Sequence, residues 1–346
     1  MTNANGRLTM MSVSDAALLA CVATFFAGMA AGNKSAHAAP PSYVGAGSYL
    51  LPSGSSAFND EADGRLVCIT ETGAIVRQSA VNVGGVAAYS PLGSLPAGAV
   101  PSFGAGFLKI SPDGSRFAIG DNNSASQVHF VQVALLNTSG PTVPQTINVA
   151  NFDGAWADNA TFYVNGSPNF GTAPSLYRVN ITTSAVAAVV SNIGDASGGV
   201  ATRSGRVYTA IGYDVGGLLD GQVRSFDITT LNAAASAVAF STGTITTQAN
   251  TGNSLDFDAA GNIIEAGFGG VTIVDLATAQ RYDLPGLSPA GFYSAMYNNF
   301  TGEILVRDFA FGADPRLVLR YAVPTPATTT LLGLSGILAA RRRRHA

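Results

Sequence analysis

Short stretches in which apolar and polar residues alternate, separated by turns, run through residues 40–323. No stretch of useful length places its apolar residues at the 3.6-residue period of an amphipathic helix, whereas alternation at a period of two is typical of β-strands. The same segment is rich in Gly, Ser, Thr, Val and Ala. The pattern therefore predicts an all-β body.

One phrase recurs along this body at a nearly constant interval. It occupies residues 175–183, 222–230 and 270–278. When the three copies are aligned on Asn180, Asp227 and Asp275, the intervals are 47 and 48 residues. A related segment contains Gln132, 48 residues before Asn180, and another contains Tyr321, 46 residues after Asp275. A period of this length indicates a repeat architecture.

A second feature keeps the same period: each unit contains a turn dipeptide followed directly by an apolar strand. The dipeptides are Asp63-Gly64, Asp113-Gly114, Asn159-Ala160, Ser204-Gly205, Ala260-Gly261 and Thr301-Gly302. From Gly64 to Gly302 the intervals are 50, 46, 45, 56 and 41 residues. Because glycine readily adopts the positive φ that a tight hairpin requires, we interpret these positions as six hairpins.

Six hairpins at this spacing predict a β-propeller of six blades. Each blade would contain an inner strand A, a strand B after the turn, a strand C at the recurring phrase and an outer strand D. A ring of seven blades with one degenerate blade and a pair of β-sandwiches are the alternatives. The last unit ends at Tyr321 without a strand D. We expect the apolar segment Val44–Leu51 to pair with it and close the ring, which would cover two exposed strand edges.

Two segments of the body resemble blades of the lactonase-like, NHL and gluconolactonase-type propellers. They are Phe107–Gly120 and Ser254–Ala266. The gluconolactonase-type members of this group imply a divalent metal held by Glu and Asn or Asp side chains on inner strands. Only Asn253, directly before Ser254, matches that set. A metal-dependent lactonase or gluconolactonase-like hydrolase is therefore the alternative function, and no catalytic residue is predicted.

The B–C and D–A loops of a propeller lie on one face, and here several of them carry aspartate. The binding-face candidates are Asp121, Asp153, Asp195, Asp214, Asp220, Asp308 and Asp314. Hard cations such as Ca²⁺ prefer several oxygen ligands of this kind. Asp is also common in turns because its side chain bonds to nearby backbone N–H groups. No cofactor is predicted, and Ca²⁺ is the metal that such loops would favour.

Aromatic residues in the body suit either of two roles, a platform that stacks on sugars or the core between blades. They include Trp156, Tyr163, Tyr213 and Tyr293. The body contains one histidine, His129, which argues against acid–base chemistry that depends on histidine. Cys68 lies in an alternating strand and is expected to be a small buried apolar side chain.

Charge is scarce in residues 39–326, where 20 Asp and Glu stand against 12 Lys and Arg, a net charge of −8. Lys109 is the only lysine in this range. Nucleic-acid binding requires a basic face, so this composition excludes it as the expected function.

The N-terminus has the organisation of a secretory signal peptide. Arg7 lies in a polar segment, residues 16–31 are apolar, and Ala36-His37-Ala38 offers two small residues for cleavage before Ala39. We therefore expect residues 1–38 to be a signal peptide read by the Sec export machinery.

The C-terminus combines a short polar motif, an apolar run and a basic end. The motif is Val323-Pro324-Thr325-Pro326, residues 327–340 are apolar, and Arg341, Arg342, Arg343 and Arg344 follow. As a helix the 14 apolar residues would span about 21 Å, less than the hydrocarbon core of a bilayer at about 30 Å. The arginines would hold that end on the cytoplasmic side.

This arrangement resembles the PEP-CTERM sorting signal of Gram-negative bacteria that make exopolysaccharide, with Thr325 at the position where Glu is usual. The resemblance implies transient insertion in the inner membrane and removal of the tail by exosortase, a membrane protease of transpeptidase type. We expect three parts: a signal peptide (1–38), a β-propeller (39–323) and a sorting signal (324–346). The expected function is that of an exported binding or structural module of the cell surface or extracellular matrix, with exopolysaccharide or a surface protein as partner.

Overall fold

The computed structural model describes the body of the chain as strands joined by turns. The described residues are 42–81, 87–99, 106–120, 127–168, 172–194, 196–213, 221–248, 252–310, 313–314 and 316–323. Within them, six sheets each contain four antiparallel strands, and the third sheet carries one short further strand. The prediction of a six-bladed β-propeller is confirmed.

The first three blades follow the order of the chain from the inner strand outward. Blade 1 contains β2 (Ser55–Asp60), β3 (Leu66–Thr70), β4 (Ala74–Gln78) and β5 (Tyr89–Ser94). Blade 2 contains β6 (Phe107–Ile110), β7 (Arg116–Gly120), β8 (Gln127–Gln132) and β9 (Gln145–Asn148). Blade 3 contains β10 (Asp153–Trp156), β11 (Thr161–Gly166), β12 (Ser175–Asn180), β13 (Ala185–Ser191) and the added β17 (Val238–Ala239).

The last three blades have the same order, except that the outer strand of blade 6 comes from the start of the body. Blade 4 contains β14 (Ala196–Arg203), β15 (Arg206–Tyr213), β16 (Gln222–Asp227) and β18 (Thr244–Gln248). Blade 5 contains β19 (Ser254–Phe257), β20 (Ile263–Gly267), β21 (Gly270–Val274) and β22 (Arg281–Asp283). Blade 6 contains β23 (Tyr293–Asn298), β24 (Glu303–Asp308), β25 (Leu317–Ala322) and β1 (Val44–Leu50). The described helical segments are α1 (Ile228–Ala233) and three 3₁₀ turns at Ala97–Ala99, Val133–Leu135 and Phe240–Thr242.

Six apolar cores lie at the six contacts between neighbouring blades. Strand B of a blade therefore buries both of its faces, one against each neighbouring blade. In β7, for example, Phe117 and Ile119 belong to the core between blades 1 and 2, whereas Ala118 belongs to the core between blades 2 and 3. Such strands read as continuous apolar runs because successive side chains point to opposite faces of the sheet.

The recurring phrase has a common local function, which is to end strand C with a capped turn. Its aligned side chains accept hydrogen bonds from the backbone N–H three residues further on. The bonds are Thr183 N to Asn180 Oδ1 (2.9 Å), Thr230 N to Asp227 Oδ1 (2.8 Å) and Thr278 N to Asp275 Oδ1 (3.3 Å). Short polar side chains favour this local bonding, which explains why the phrase returns in successive blades.

The glycine turns between strands A and B adopt the conformation that the sequence predicted. Gly64 has φ of 81°, and Gly205 has φ of 73° next to Ser204 at 50°. A residue with a side chain would be strained at the glycine positions. These turns define the face that we call the lower face, and the opposite face, with the B–C and D–A connections, is the upper face.

The ring is closed by β1, as the sequence predicted for Val44–Leu51. It pairs with β25 in antiparallel register as the outer strand of blade 6. Tyr49 and Leu51 are buried in the core between blades 6 and 1. Tyr43 is also buried, and its hydroxyl donates to Asp258 Oδ2 at 3.1 Å. The first and last segments of the body therefore share one blade.

The longest sequence interval, 56 residues between Gly205 and Gly261, reflects an insertion in blade 4. After β16 the chain forms α1, whose N-cap is Asp227, before it reaches β18. Between them, β17 pairs in parallel with β13 of blade 3. The sequence pattern did not predict this helix, because Ile228-Thr229-Thr230 repeats the residues that follow strand C in blade 3.

No helix of the described residues is long and apolar enough to cross a membrane. The signal-peptide and sorting segments lie outside the described residues, including Ala38, Pro324, Thr325, Pro326, Arg341, Arg342, Arg343 and Arg344. Val323 is the last described residue and follows directly after β25.

Candidate functional site

The six inner strands surround a central channel, and those of successive blades from blade 1 to blade 6 pack side by side. A cavity of about 290 Å³ opens toward the upper face, and a cavity of about 580 Å³ opens toward the lower face. Asn59, Lys109 and Met296 line both cavities, so they mark the middle of the channel. We call the two spaces the upper cavity and the lower cavity.

An ion pair occupies the floor of the upper cavity. Lys109 Nζ lies 3.1 Å from Asp153 Oδ1, and Asp153 is buried at the start of β10. The second oxygen of Asp153 accepts a hydrogen bond from Val200 N at 2.9 Å. The only lysine of the body is therefore held in the channel, where its ion pair joins blades 2 and 3 and the bond between Asp153 and Val200 adds blade 4.

The lower cavity contains two carboxyl groups with raised pKa values. Burial, and after it the nearby charge of Asp256, raise the pKa of Asp60 to about 7, against the lowering effect of hydrogen bonds from the backbone N–H groups of Asp60 and Asn299. Burial also raises the pKa of Asp256, whereas Lys109 opposes that rise. Asp256 lies deep in the ring, yet part of its side chain remains open to the channel. The Lys109–Asp153 ion pair therefore lies in the upper cavity, whereas the carboxyl groups of Asp60 and Asp256 lie in the lower cavity.

Three phenylalanine rings lie at the upper opening. Phe268 comes from the B–C turn of blade 5, Phe292 from the D–A connection before β23, and Phe309 from the residue after β24. Phe268 and Phe292 stack with centroids 4.6 Å apart, and Phe309 meets Phe292 edge-on at 6.4 Å. Phe268 is 54% exposed and Phe309 is 41% exposed. We call these three residues the aromatic rim.

Arg307 lies beneath the aromatic rim and lines the upper cavity. Its two terminal nitrogens donate to the carbonyl oxygens of Ser56 and Ser55, each at 2.7 Å. Its Cζ lies 4.5 Å from the centroid of the Phe309 ring. The side chain is 2% exposed, and burial lowers its pKa to about 10, so it remains charged at neutral pH.

The acidic residues predicted for the binding face fall into four groups. Asp121, Asp195, Asp214 and Asp220 lie outside the described residues. Asp153 lines the upper cavity and is paired with Lys109. Asp308 accepts hydrogen bonds from Phe292 N at 3.0 Å and Ala310 N at 2.8 Å, so it connects two loops of the aromatic rim.

Asp314 is exposed and forms an ion pair with Arg316 at 3.0 Å. Hydrogen bonds from the Arg316 side chain and backbone lower the pKa of Asp314. Among the described residues, no group of three or more His, Cys, Asp and Glu side chains is arranged to hold a metal ion.

The aromatic residues that the sequence offered as a stacking platform are buried in the cores between blades wherever their side chains are described, although Tyr293 also lines the upper cavity and Trp156 the lower cavity. Trp156 packs edge-on against Phe162 at 5.1 Å, in the core between blades 2 and 3. Tyr163 is fully buried, and the hydroxyl of Tyr293 accepts a hydrogen bond from Ser288 N at 2.7 Å. The side chain of Tyr213 lies outside the described residues.

His129 and Cys68 are both buried in strands. His129 Nδ1 forms a hydrogen bond with Thr146 Oγ1 at 2.9 Å. Cys68 carries a free thiol whose pKa burial raises to about 12, which leaves it protonated and unreactive at neutral pH. The prediction that Cys68 is a small buried side chain is confirmed.

The sequence reasoning missed the aromatic rim and Arg307. The available signal was the position of Phe268 and Phe292 next to glycine, in connections that belong to the upper face. Aromatic side chains placed in loops have no strand neighbours to cover them, so they are better candidates for binding than aromatics within strands.

Comparison with known proteins supports the fold. No family model matches the sequence, and no curated protein matches it. The solved structure of U3-55K is similar over 82% of this chain and 100% of that chain, with 12% sequence identity and a TM-score of 0.52. The crystal structure of the RRP9 WD40 repeats is 15% identical over 80% of this chain and 84% of that chain, with a TM-score of 0.49. The likeness to U3-55K shows the β-propeller fold alone.

Proposed function

We propose that this protein is an exported binding or structural module of the cell surface or extracellular matrix, and that it contacts its partner through the upper face. The observation that carries the proposal is the aromatic rim at the opening of the upper cavity. Exposed aromatic rings next to a concave site are typical of interaction surfaces. An extracellular polysaccharide is the partner we favour, and a surface protein is the alternative.

The aromatic rim suits a polymeric ligand better than a small substrate that would lie wholly inside the cavity. Its rings extend from the cavity opening to the exposed Phe268, across blades 5 and 6. Asp308 fixes the loops of Phe292 and Phe309 to each other through hydrogen bonds. Rings that are already ordered lose little conformational entropy on binding, which favours a surface that binds repeatedly along a chain.

Replacement of Phe292 and Phe309 by alanine is expected to reduce retention of the protein on extracellular matrix polysaccharide at least tenfold. Truncation of aromatic anchors typically costs about 2 kcal/mol or more at an interface. Phe300→Ala is the matched control, because Phe300 is 63% exposed in a turn of the lower face. Equal retention of all three proteins would contradict the proposal. Lactone hydrolysis that a chelator abolishes would instead support the hydrolase alternative.

Export and processing form a separate part of the proposal. The last described strand, β25, ends at Ala322, directly before the Val323-Pro324-Thr325-Pro326 motif. Cleavage within this motif would leave all six blades intact. This position supports a tail that exosortase removes after transient insertion in the inner membrane.

The protein recovered from the surface of a producing cell is expected to begin near Ala39 and to end between Val323 and Ala327. Intact-mass measurement tests both ends in one spectrum. The result that would overturn this part is a full-length species that retains the arginine run and stays in the inner membrane.

A further inference from the structure

The charges that line the upper cavity balance one another. Among the described residues, the charged side chains of this lining are Lys109, Arg307, Asp153 and Glu71. Lys109 is paired with Asp153, and Glu71 acts on Arg307 as a nearby opposite charge. A charged ligand would leave water without meeting an unpaired counter-charge, so the upper cavity favours a neutral ligand.

Three polar groups of the upper cavity have hydrogen-bonding capacity left for such a ligand. Lys109 Nζ has three N–H donors and makes one ion pair within 4.0 Å among the described residues. The amide of Asn59 donates to Leu108 O at 3.0 Å, whereas no described donor bonds to its Oδ1. The hydroxyl of the half-buried Ser294 likewise has no partner among the described residues. Donors and acceptors placed together suit neighbouring hydroxyl groups, because each hydroxyl both donates and accepts.

Phe152 gives the upper cavity an aromatic wall on the side opposite the aromatic rim. It is half-buried, comes directly before β10, and belongs to none of the six apolar cores of the described residues. Blades 3 and 6 stand across the channel from each other in a ring of six, so aromatic side chains border the cavity on both sides. The apolar face of a sugar ring packs on such a surface and leaves the hydroxyl groups for polar partners.

We propose that the upper cavity binds one neutral hexose residue, whose apolar face packs on Phe152 and whose neighbouring hydroxyl groups bond to Lys109 and Asn59. The cavity volume of about 290 Å³ suits a single ring. The inference rests on the proposed function, because it assigns a ligand class to the upper face. A hexose residue that ends a polysaccharide chain or branch and a free hexose share this chemistry.

Calorimetric titration of the purified full-length chain tests the assignment with two matched sets of sugars. Glucose is compared with glucuronate and glucosamine, and galactose is compared with galacturonate and galactosamine. We expect glucose or galactose to bind at millimolar concentration, at least fivefold more tightly than its acid and its amine. Failure of both neutral hexoses to bind, or equal binding of their charged counterparts, would overturn the assignment.

The hexasaccharide of the hexose that binds distinguishes the two sources of the ligand. For glucose this probe is maltohexaose, and for galactose it is galactohexaose. Binding of one protein per hexasaccharide indicates the end of a chain. Binding of the free hexose alone indicates a free sugar.

Phe152→Leu tests the aromatic wall with little risk to the fold, since the ring is half-buried and outside the apolar cores. It is expected to weaken hexose binding at least fivefold, because the flat surface is lost, whereas Phe152→Tyr preserves binding. Phe300→Leu on the lower face is the matched control and leaves the affinity unchanged. Unchanged affinity in Phe152→Leu would contradict a sugar packed on this ring.

Glu71→Gln tests the balance of charges. Glu71 is exposed, and its replacement leaves a net positive charge at the upper cavity. The affinity for the uronate relative to its neutral hexose is therefore expected to rise severalfold, and partial unfolding cannot change this ratio. Asp63→Asn, which removes an exposed carboxylate of the lower face, leaves the ratio unchanged. The same ratio in Glu71→Gln as in the parent would rule out selection by charge.

The two proposals fail separately. Loss of polysaccharide retention in the Phe292→Ala and Phe309→Ala double variant, without binding of either neutral hexose, would leave the upper face as a binding surface and remove only the hexose site. Hexose binding that depends on Phe152, without retention on matrix material, would establish the pocket and overturn the surface function.

Discussion

Removal of residues 39–52 is expected to lower the melting temperature by at least about 15 °C and to cause aggregation. The deletion removes β1, the outer strand of blade 6, and with it the buried side chains of Tyr43, Tyr49 and Leu51. Loss of one such side chain typically costs about 2–5 kcal/mol, and a protein of this size loses about 2–4 °C per kcal/mol. The combined loss approaches the whole stability of a typical domain, about 5–15 kcal/mol.

Aggregation has a distinct cause in this variant. Without β1, the unpaired N–H and C=O groups of β25 become an exposed edge that a second chain can extend. Tyr49 also covers the buried ion pair that Arg320 forms with Glu303 in blade 6, since Arg320 Cζ lies 4.6 Å from the centroid of the Tyr49 ring. Scanning calorimetry and light scattering measure the two effects.

A chain that ends at Val323 is the matched control for this deletion. It also loses terminal residues, but it keeps every described strand. We expect it to melt within a few degrees of the parent. If the chain without residues 39–52 melts as this control does, β1 does not close the ring, and the blade assignment is wrong.

Stability is expected to fall as the pH rises from 5 to 8, and Asp60 is expected to cause most of the fall. Its pKa is about 7 in the folded protein and about 3.8 in the unfolded chain. Between these values the folded state holds a proton that the unfolded state has lost, so unfolding becomes easier as the pH rises. The linked loss of stability between pH 5 and 8 is about 3 kcal/mol.

Asp60→Asn should remove this dependence, because a neutral amide has no charge to desolvate at pH 8. The variant is therefore expected to be more stable than the parent at pH 8 and similar to it at pH 5. Urea unfolding across pH 5–8 measures the slope. Asp63→Asn is the control, since Asp63 is exposed in the adjacent turn and its replacement should leave the slope unchanged.

The charge of Asp256 supplies a second check on the same account. Replacement of Asp256 by asparagine removes a negative charge near Asp60, so the pH at which stability falls should move downward. Stability in the parent that stays constant or rises between pH 5 and 8 would contradict the raised pKa of Asp60.

The fold was predictable because its signals are local and repeated. Gly64 and Gly205 mark turns whose positive φ is a property of the residue, and Asn180, Asp227 and Asp275 form the same capped turn at the end of strand C. The insertion in blade 4 was not predictable in the same way. Its helix begins with the residues that elsewhere only cap a turn, and its Leu231 is buried in the core between blades 3 and 4, a contact that the local sequence does not indicate.

The candidate site was largely hidden from the sequence because it depends on contacts between distant residues. Lys109 meets Asp153, and Asp60 lies near Asp256, only because the ring brings their inner strands around one channel. Nothing near Arg307 in the chain indicates that it forms no ion pair with the residues that the structure describes. Of the acidic residues predicted for the upper face, Asp153 lines the upper cavity, and its carboxylate forms an ion pair with Lys109.

The exposure of the aromatic rim also depends on the folded arrangement and not on the local sequence. Phe292 lies next to Tyr293, and the two residues have the same apolar character in the sequence. Tyr293 is the first residue of β23 and is buried in the core between blades 5 and 6 at the wall of the upper cavity, whereas Phe292 precedes the strand and stacks on the exposed Phe268. One position along the chain decides between burial in the core and a place in the aromatic rim.

Hydrogen exchange with and without matrix polysaccharide is the most direct test of the central claim, which is that the upper face binds the partner. The account predicts slower exchange in peptides that contain Phe268, Phe292 and Phe309, with unchanged exchange in the lower-face turn that contains Phe300. Slower exchange confined to the lower face or to the outer strands would contradict it.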